Sequence, residues 1–351
     1  SVSPSISELE EGLAGSASPE DVELMFQLIH LHFTAPRASE QAFDSVRNRL
    51  RGLIENRLAR PEAVYSDRVT EILSQNHFRR RPWSPELLDE MELSSSLEVY
   101  RDRFADASDF TFILVGNFEL DDLRPLVQSY LGSLPSLGRT ETWRDVGVHR
   151  PDGVIQETVR MGLEPKSRVS IHFSGPFEWT RQNRYDISSM IAVLRTRLRE
   201  VLREDEGGTY GVAVSASPRS FPRQDFSAAV SFGCDPERVE ELIGVVYDTI
   251  EELQDEGPEA SYVEKIQEQQ RRRRELLLRE NGFWLAALEL ALWHGEDPRL
   301  ILAYNELVDG LTPEAVRAAA QRYFDFDRRV EVVLKPEGGS ALSAAGVLSP
   351  P

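Results

Sequence analysis

The chain contains a single cysteine, Cys234, which rules out an internal disulfide and any cysteine-rich metal site. Lysine is nearly as scarce. Lys166, Lys265 and Lys335 are the only lysines, so arginine carries the positive charge. No apolar run approaches the roughly 18 residues that a membrane-spanning helix needs. The opening stretch SVSPSISELEEG is polar and acidic and does not read as a secretory signal, which a processed or truncated chain would also lack. The formal net charge of −19 argues against nucleic acid or an anionic membrane as partner, because phosphate binding needs clustered positive charge.

Several catalytic signatures are also missing. The histidines are His30, His32, His77, His149, His172 and His294, and none forms H-E-x-x-H or the inverted H-x-x-E-H. His30 and His32 point to different faces of a helix, and His294 sits where a helix breaks. All six read as ordinary surface or helix-end side chains, and no metal ligand is expected in this chain. There is no G-x-S-x-G elbow. Cys234 lies between a strand and a helix N-terminus, where a thiolate would be stabilised, yet a small buried residue is the simpler reading. Gly207-Gly208 follows three acids whose charge would repel a phosphate. The run Arg271-Arg272-Arg273-Arg274 resembles an anion patch, but Glu264, Glu268, Glu275 and Glu280 lie within helical reach on a solvated face.

What is present is a globular chain of 351 residues, long enough for two cored domains. Residues 18–133 read mostly as helix. Ser18-Pro19-Glu20-Asp21 is a start signal, and Leu24, Leu28 and Leu31 with Met25, Ile29 and Phe33 make a helical stripe. Helices follow at about 39–58 and 61–75, and another opens at Ser84-Pro85-Glu86. Phe110–Val115 reads as a strand, and a helix over 120–131 ends at Gly132. Residues 138–151 lack any period and read as a linker. Beyond it, Val169, Ile171 and Phe173 alternate as a half-buried strand, and a helix runs from about Ile187 to Leu202. Tyr210, Val212 and Val214, then Phe226, Ala228, Val230 and Phe232, form a hairpin pattern. Asp235-Pro236-Glu237 opens a helix to about Leu253, and a long helical region follows to about Leu307. Thr312-Pro313-Glu314 opens the last helix, Val330–Leu334 is a closing strand, and the tail over 338–351 is expected to be disordered.

An internal repeat is visible. Tyr100-Arg101-Asp102-Arg103-Phe104 precedes the run at 110–115, and Gln321-Arg322-Tyr323-Phe324 precedes the run at 330–334. Each is an amphipathic helix ending in an Arg-aromatic pair, followed by a hydrophobic strand, as two copies of one α/β unit would be. Few strand-like runs precede the helices of the first copy, as if the chain began partway into its first unit.

The stretch LREDEGGTYGV places Arg203 at a helix end and Tyr210 at a strand start. As architecture, the arginine caps the helix and the tyrosine fills a core. As chemistry, guanidinium and phenol converge on one surface and donate hydrogen bonds to a developing oxyanion.

The segment LREVLREDEGGTYGVAVSA resembles the arginine-and-tyrosine segment in the C-terminal half of the insulinase-like (pitrilysin) zinc metallopeptidases. There an arginine ends a helix and a tyrosine seven residues later opens a strand, as Arg203 and Tyr210 do. FTFILVGNFELDDLRPLVQSYLGSLP resembles the strand and helix that end that family's third domain. VEKIQEQQRRRRELLLRENGFWL and LTPEAVRAAAQRYF resemble its closing helices. The resemblance runs from about residue 3 to 337. It implies an α+β, pitrilysin-type fold of two homologous domains, each a mainly antiparallel β-sheet with helices packed on one face. The first domain would span 1–137, truncated at its N-terminus, and the second 152–337.

The resemblance also implies a function. The chain would be the zinc-free C-terminal half of a zinc-dependent endopeptidase, inactive alone and forming one wall of the substrate chamber. Arg203 and Tyr210 would hold the scissile carbonyl. No cofactor is expected here, with zinc on an N-terminal catalytic half, fused or separate. The substrate would be a peptide or unfolded polypeptide, and a periplasmic setting follows by analogy with fused bacterial members. Two alternatives stand beside this reading: a non-catalytic structural or regulatory subunit of the same fold, or an unrelated α+β peptide-binding protein.

Overall fold

The computed structural model describes residues 1–204 and 209–337, without the side chains of residues 203, 204, 209 and 210. Along the chain come β1 (Val2–Ile6), β2 (Glu11–Gly15), α1 (Val22–Thr34), α2 (Glu40–Leu58), α3 (Pro61–Leu73), α4 (Pro85–Asp89), α5 (Leu93–Arg103) and α6 (Leu120–Leu126). They are followed by β3 (Val154–Arg160), β4 (Ser167–Pro176), α7 (Arg181–Glu204), β5 (Thr209–Arg219), β6 (Asp225–Cys234) and α8 (Val239–Asp255). The last elements are α9 (Ala260–Leu277), α10 (Asn281–Trp293), α11 (Tyr304–Asp309), α12 (Pro313–Tyr323) and β7 (Arg329–Lys335). The expected tail lies outside the described residues.

Side-chain caps set several helix starts. Leu87 N–H donates to Ser84 Oγ at 3.2 Å and Ala315 N–H donates to Thr312 Oγ1 at 3.2 Å, each ahead of a proline at the first helical position. Ala42 N–H donates to Ser39 Oγ at 3.3 Å ahead of α2, and Glu237 N–H to Asp235 Oδ1 at 2.9 Å ahead of α8. Each such cap is worth about 1 kcal/mol.

The chain forms two compact units, each drawn from distant segments. The first comprises Ser1–Glu55, Trp83–Asp145 and Arg272–Tyr304, and the second Asn56–Pro82, Val146–Arg271 and Asn305–Pro351.

In the first unit, β1 and β2 pair antiparallel with Val2 opposite Gly15. Phe33 is central to a small aromatic core, edge-on to Phe104 at 5.3 Å and to Phe110 at 4.9 Å. The strand expected at Phe110–Val115 pairs with no other strand among the described residues. Its apolar signal is used differently, since Phe110 and Phe112 pack on Phe33. The helix expected over 120–131 is α6, loosening into a π turn at Val127–Leu131 with Gly132 N–H donating to Val127 O at 2.8 Å. Asp106 is fully buried and organises the turn after α5. Its carboxylate accepts from Ser108 Oγ at 2.6 Å, Ser108 N–H at 2.9 Å, Leu137 N–H at 2.8 Å and Arg139 N–H at 2.6 Å. The Ser108 hydroxyl first, and then the backbone donors, hold this carboxyl well below the usual carboxylate range.

The second unit is built on a five-stranded sheet of order β3-β7-β4-β6-β5. All its pairings are antiparallel except β3 with β7. Helices α7, α8 and α12 cover one face, on Val169, Ile171 and Phe173 of β4. The other face is not bare. Helix α3 packs Tyr65 and Ile72 onto Val330, Val332 and Leu334 of β7. Burial on both faces is why VEVVL reads as a near-continuous apolar run instead of an alternating one. Tyr65 Oη lies 2.7 Å from Ser170 Oγ and 2.9 Å from Val332 O, and Arg68 grips Glu157 of β3 through contacts of 2.5 and 2.8 Å.

The helix ends at Phe104 and Phe324 are alike. Phe104 N–H donates to Tyr100 O and Phe324 N–H to Ala320 O, both at 3.0 Å. Both phenylalanines are buried, and each meets another phenylalanine edge-on, Phe33 for one and Phe173 for the other.

Two stability predictions follow from these buried polar groups. Glu331 of β7 is buried, and Tyr247 Oη of α8 donates to its Oε2 at 2.5 Å. Tyr247→Phe removes that donor, so the chain should lose about 1–3 kcal/mol in urea unfolding. The second concerns Asp106, whose carboxyl is depressed in the fold. Its contribution is therefore full above the unfolded aspartate value of about 4 and is lost as pH falls through the lower folded value. Asp106→Asn should be clearly destabilised at neutral pH, and the gap to the parent should narrow in acid unfolding below about pH 4.

Candidate functional site

The candidate pair is carried by α7 and β5. Apolar residues fix the register of α7, with Leu194, Leu198 and Leu202 all buried at helical spacing up to its last turn. Helix α7 lies along β5, and Arg195 ties them together, its Nε and Nη2 donating to Val214 O at 3.1 and 2.5 Å. Further along, Arg197 pairs with Glu252 at 2.6 Å, and Glu200 accepts from Tyr262 Oη at 2.5 Å. The backbone of Arg203 is in the last turn of α7, and that of Tyr210 is the second residue of β5. Their side chains lie outside the described residues, as do Gly207 and Gly208.

The start of β5 is irregular. Thr209 pairs with Cys234 and Val212 with Phe232, so three steps on β5 face two on β6. This is a bulge, and Tyr210 and Gly211 form it. Gly211 has φ +139, a conformation that side chains rarely adopt. Bulges of this kind re-aim a side chain relative to the sheet and are frequent beside active sites.

The remaining sequence candidates fall in separate places. His30 Nδ1 lies 2.9 Å from Tyr130 O, His32 meets the Tyr100 hydroxyl at 3.3 Å, and His77 Nε2 lies 3.0 Å from Val146 O. His294 follows α10 as its C-cap. His149 and His172 each have a buried ring nitrogen without a hydrogen-bond partner. Burial first, and the Arg150 charge next, push the His172 imidazole down to about 4. Among the described residues no three His, Cys, Asp or Glu side chains come together as metal ligands, so these residues do not fit a zinc site.

Cys234 is buried, and desolvation, then Asp235, push its thiol up to about 11, the reverse of what a nucleophile needs. The arginine run is divided in its contacts. Arg271 pairs with Asp309 at 2.6 Å. Arg274 donates to Ile301 O and stacks over Phe283 and Tyr304 at 4.5 and 5.0 Å. Sequence reasoning missed the bulge, for which the glycine after the tyrosine was the available signal.

The bulge is open to test. Gly211→Val should cost about 1–3 kcal/mol in urea unfolding, because the backbone conformation resists a β-branched residue. Gly244→Ala, at a position in α8 where an added Cβ meets nothing within 4 Å, should cost nothing and serves as control.

Residues 94–270 match the family described as the peptidase M16 inactive domain. The probable zinc protease PqqL of Haemophilus influenzae is 24% identical over 349 residues, 93% of this chain and 35% of that protein. The zinc protease PQQL-like protein of Arabidopsis thaliana is 26% identical over 336 residues, 86% of this chain and 34% of that protein. The chain thus spans about a third of the length of these relatives. The crystal structure of the periplasmic protease PqqL from Escherichia coli matches with TM-score 0.84 at 22% identity, over 96% of this chain and 37% of that one. A peptidase M16 inactive domain from Pseudomonas fluorescens matches with TM-score 0.74 at 17% identity, over 97% of this chain and 82% of that one. The structural likenesses carry the fold; with half the chain inside the family match, this protein belongs to the peptidase M16 inactive-domain family.

Proposed function

We propose that this chain is the zinc-free C-terminal half of a zinc-dependent endopeptidase, and that it forms one wall of the chamber that holds the substrate. The observation that carries this reading is the likeness to zinc proteases over nearly the whole chain, at about a third of their length. Zinc belongs on an N-terminal half, fused or separate, where it would supply a Lewis acid and an activated water. The two halves of the repeat, 1–137 and 152–337, would correspond to the two domains of this C-terminal half.

This chain's own part is to bind and orient. Arg203, at the end of α7, and Tyr210, in the bulge of β5, would donate hydrogen bonds to the carbonyl of the bond being cut. One such donor contributes about 3–4 kcal/mol of transition-state stabilisation where charge develops on that oxygen. The partner half has an apolar surface available to it. In the first unit Leu285, Leu290, Leu292 and Trp293 of α10 are each exposed, and Leu302 beyond it is 69% exposed. Apolar faces of this kind are what protein interfaces cover. The substrate would be a peptide or unfolded polypeptide. A periplasmic setting agrees with the periplasmic protease among the structural neighbours.

A quenched-fluorescent peptide library should show no cleavage by this chain alone and cleavage once a zinc-loaded N-terminal half is added. Arg203→Ala and Tyr210→Phe should each lower kcat about a hundredfold in the mixture, the scale of losing one oxyanion donor. A mixture that is active but indifferent to both substitutions would remove the proposed roles and leave the family. A folded, zinc-loaded mixture without activity would point to the structural or regulatory subunit.

A further inference from the structure

The run over residues 110–115 in the first unit has the side chains of a strand and none of its bonds. Phe110 and Phe112 both meet Phe33, at 4.9 and 6.2 Å, so alternate side chains point one way, as they do along an extended backbone. Phe112, Ile113, Leu114 and Val115 are half-buried. Among the described residues, no hydrogen bond engages the backbone of residues 111–115. Backbone N–H and C=O groups in a folded chain are nearly always paired, so this row of donors and acceptors calls for a neighbour. Packing on Phe33 uses one face of the run and leaves both of its edges open.

Two other edge strands of this chain are guarded. On β5 the Val214 carbonyl is taken by Arg195, and Pro218 has no N–H to offer. On β3, Glu157 and Arg160 place charge along the edge. From Phe110 to Phe118 there is neither a charged residue nor a proline. Phe118 and, just beyond it, Leu120 are exposed. An unguarded apolar edge of this kind is a template for another strand.

The second unit contains a run of the same kind with its neighbours in place. Val330 follows the helix end at Phe324 at the interval at which Phe110 follows Phe104. Its strand, β7, is bonded on both sides, parallel to β3 and antiparallel to β4. Strand β4 also pairs antiparallel with β6, and β6 leads through Asp235-Pro236-Glu237 into α8. The first unit has the same flanking pieces. Strand β2 leads through Ser18-Pro19-Glu20 into α1, and Leu13 of β2 packs on the same core as Phe110 and Phe112. Yet β2 pairs only with β1 among the described residues, so the place that β4 holds in the second unit has no strand in the first.

We propose that the sheet of the first unit is completed by two strands from the polypeptide that carries the zinc-binding half. One takes the place between β2 and residues 110–115, antiparallel to both. The other runs parallel along the far edge of residues 110–115. The occupant rests on the endopeptidase reading above; the open edges do not. This chain covers 35% and 34% of two zinc proteases, so such a polypeptide has ample length for two further strands. A second copy of this chain is a poorer occupant, because pairing two identical runs closes one edge of each and leaves the other open. The strand beside Phe110 and Phe112 needs apolar side chains at alternate positions, as Val169, Ile171 and Phe173 are in β4. The two halves are then joined by a backbone ladder, which fixes their register as side-chain contacts alone do not.

The experiment follows backbone amide hydrogen exchange in the full chain, alone and with a zinc-loaded polypeptide that extends from the N-terminal half up to this chain. Binding is read separately by analytical ultracentrifugation. Alone, residues 111–115 should exchange freely. In the complex their amides should slow about a hundredfold or more, and those of β2 should slow with them. Ile113→Pro removes a ladder donor and should weaken binding about tenfold or more. Ile113→Val keeps the donor and should leave binding within about twofold. Should Ile113→Pro fail to fold, the exchange of the unaltered chain decides.

Binding without slowed exchange at residues 111–115 would overturn the proposal, and so would an absence of binding. Slow exchange in the chain alone would overturn it as well. A slowing that fades on dilution would mean that a second copy fills the edge, and one that persists would mean that the run is already paired. Cleavage is not read here. A mixture that cleaves peptides without slowing these amides would lose the strand sites and keep the endopeptidase reading.

Discussion

Strand β7 is the constraint on which the second unit depends. It lies inside the sheet, parallel to β3 and antiparallel to β4, and takes its partners from strands more than 150 residues earlier in the chain. Val330, Val332 and Leu334 face α3, while Val333 and Glu331 face the other way, and all five are buried. Each apolar side chain so buried is worth about 1.5–3 kcal/mol before the ordering entropy is counted. One carboxyl among them is accommodated because Tyr247 donates to it and Arg329 Nε donates in turn to the Tyr247 hydroxyl at 3.1 Å. Position follows from this strand. With β7 fixed, β4 is fixed, then β6, then the bulged start of β5 against which α7 ends.

Local signals in the sequence were legible. The Ser84-Pro85-Glu86 and Thr312-Pro313-Glu314 starts became capped helices, because a hydroxyl three residues from an orphan N–H needs no help from the rest of the fold. The alternating runs of β5 and β6 became a hairpin, since a short loop brings adjacent strands together. Pairing between distant segments was not legible. Phe110–Val115 has the composition of a strand, yet a strand exists only with a neighbour, and its phenylalanines serve an aromatic core instead. Strand β3 went unread for the opposite reason. VIQETVR carries little hydrophobicity and takes its place at the sheet edge through β7 and the Arg68–Glu157 contact.

The candidate sites divide along the same line. Arg203 and Tyr210 are seven residues apart, so a resemblance of sequence could carry both. The bulge beside them is a property of two strands and shows only once Thr209 and Val212 are matched to Cys234 and Phe232. The contact between Arg150 and the end of α3 is less visible still. His149 and Arg150 read as the end of a linker. The turn at Gln75 and Asn76 belongs to another helix altogether. Nothing in spacing connects residues 75 and 150; the hydrogen bond from Gln75 Nε2 to Arg150 O does.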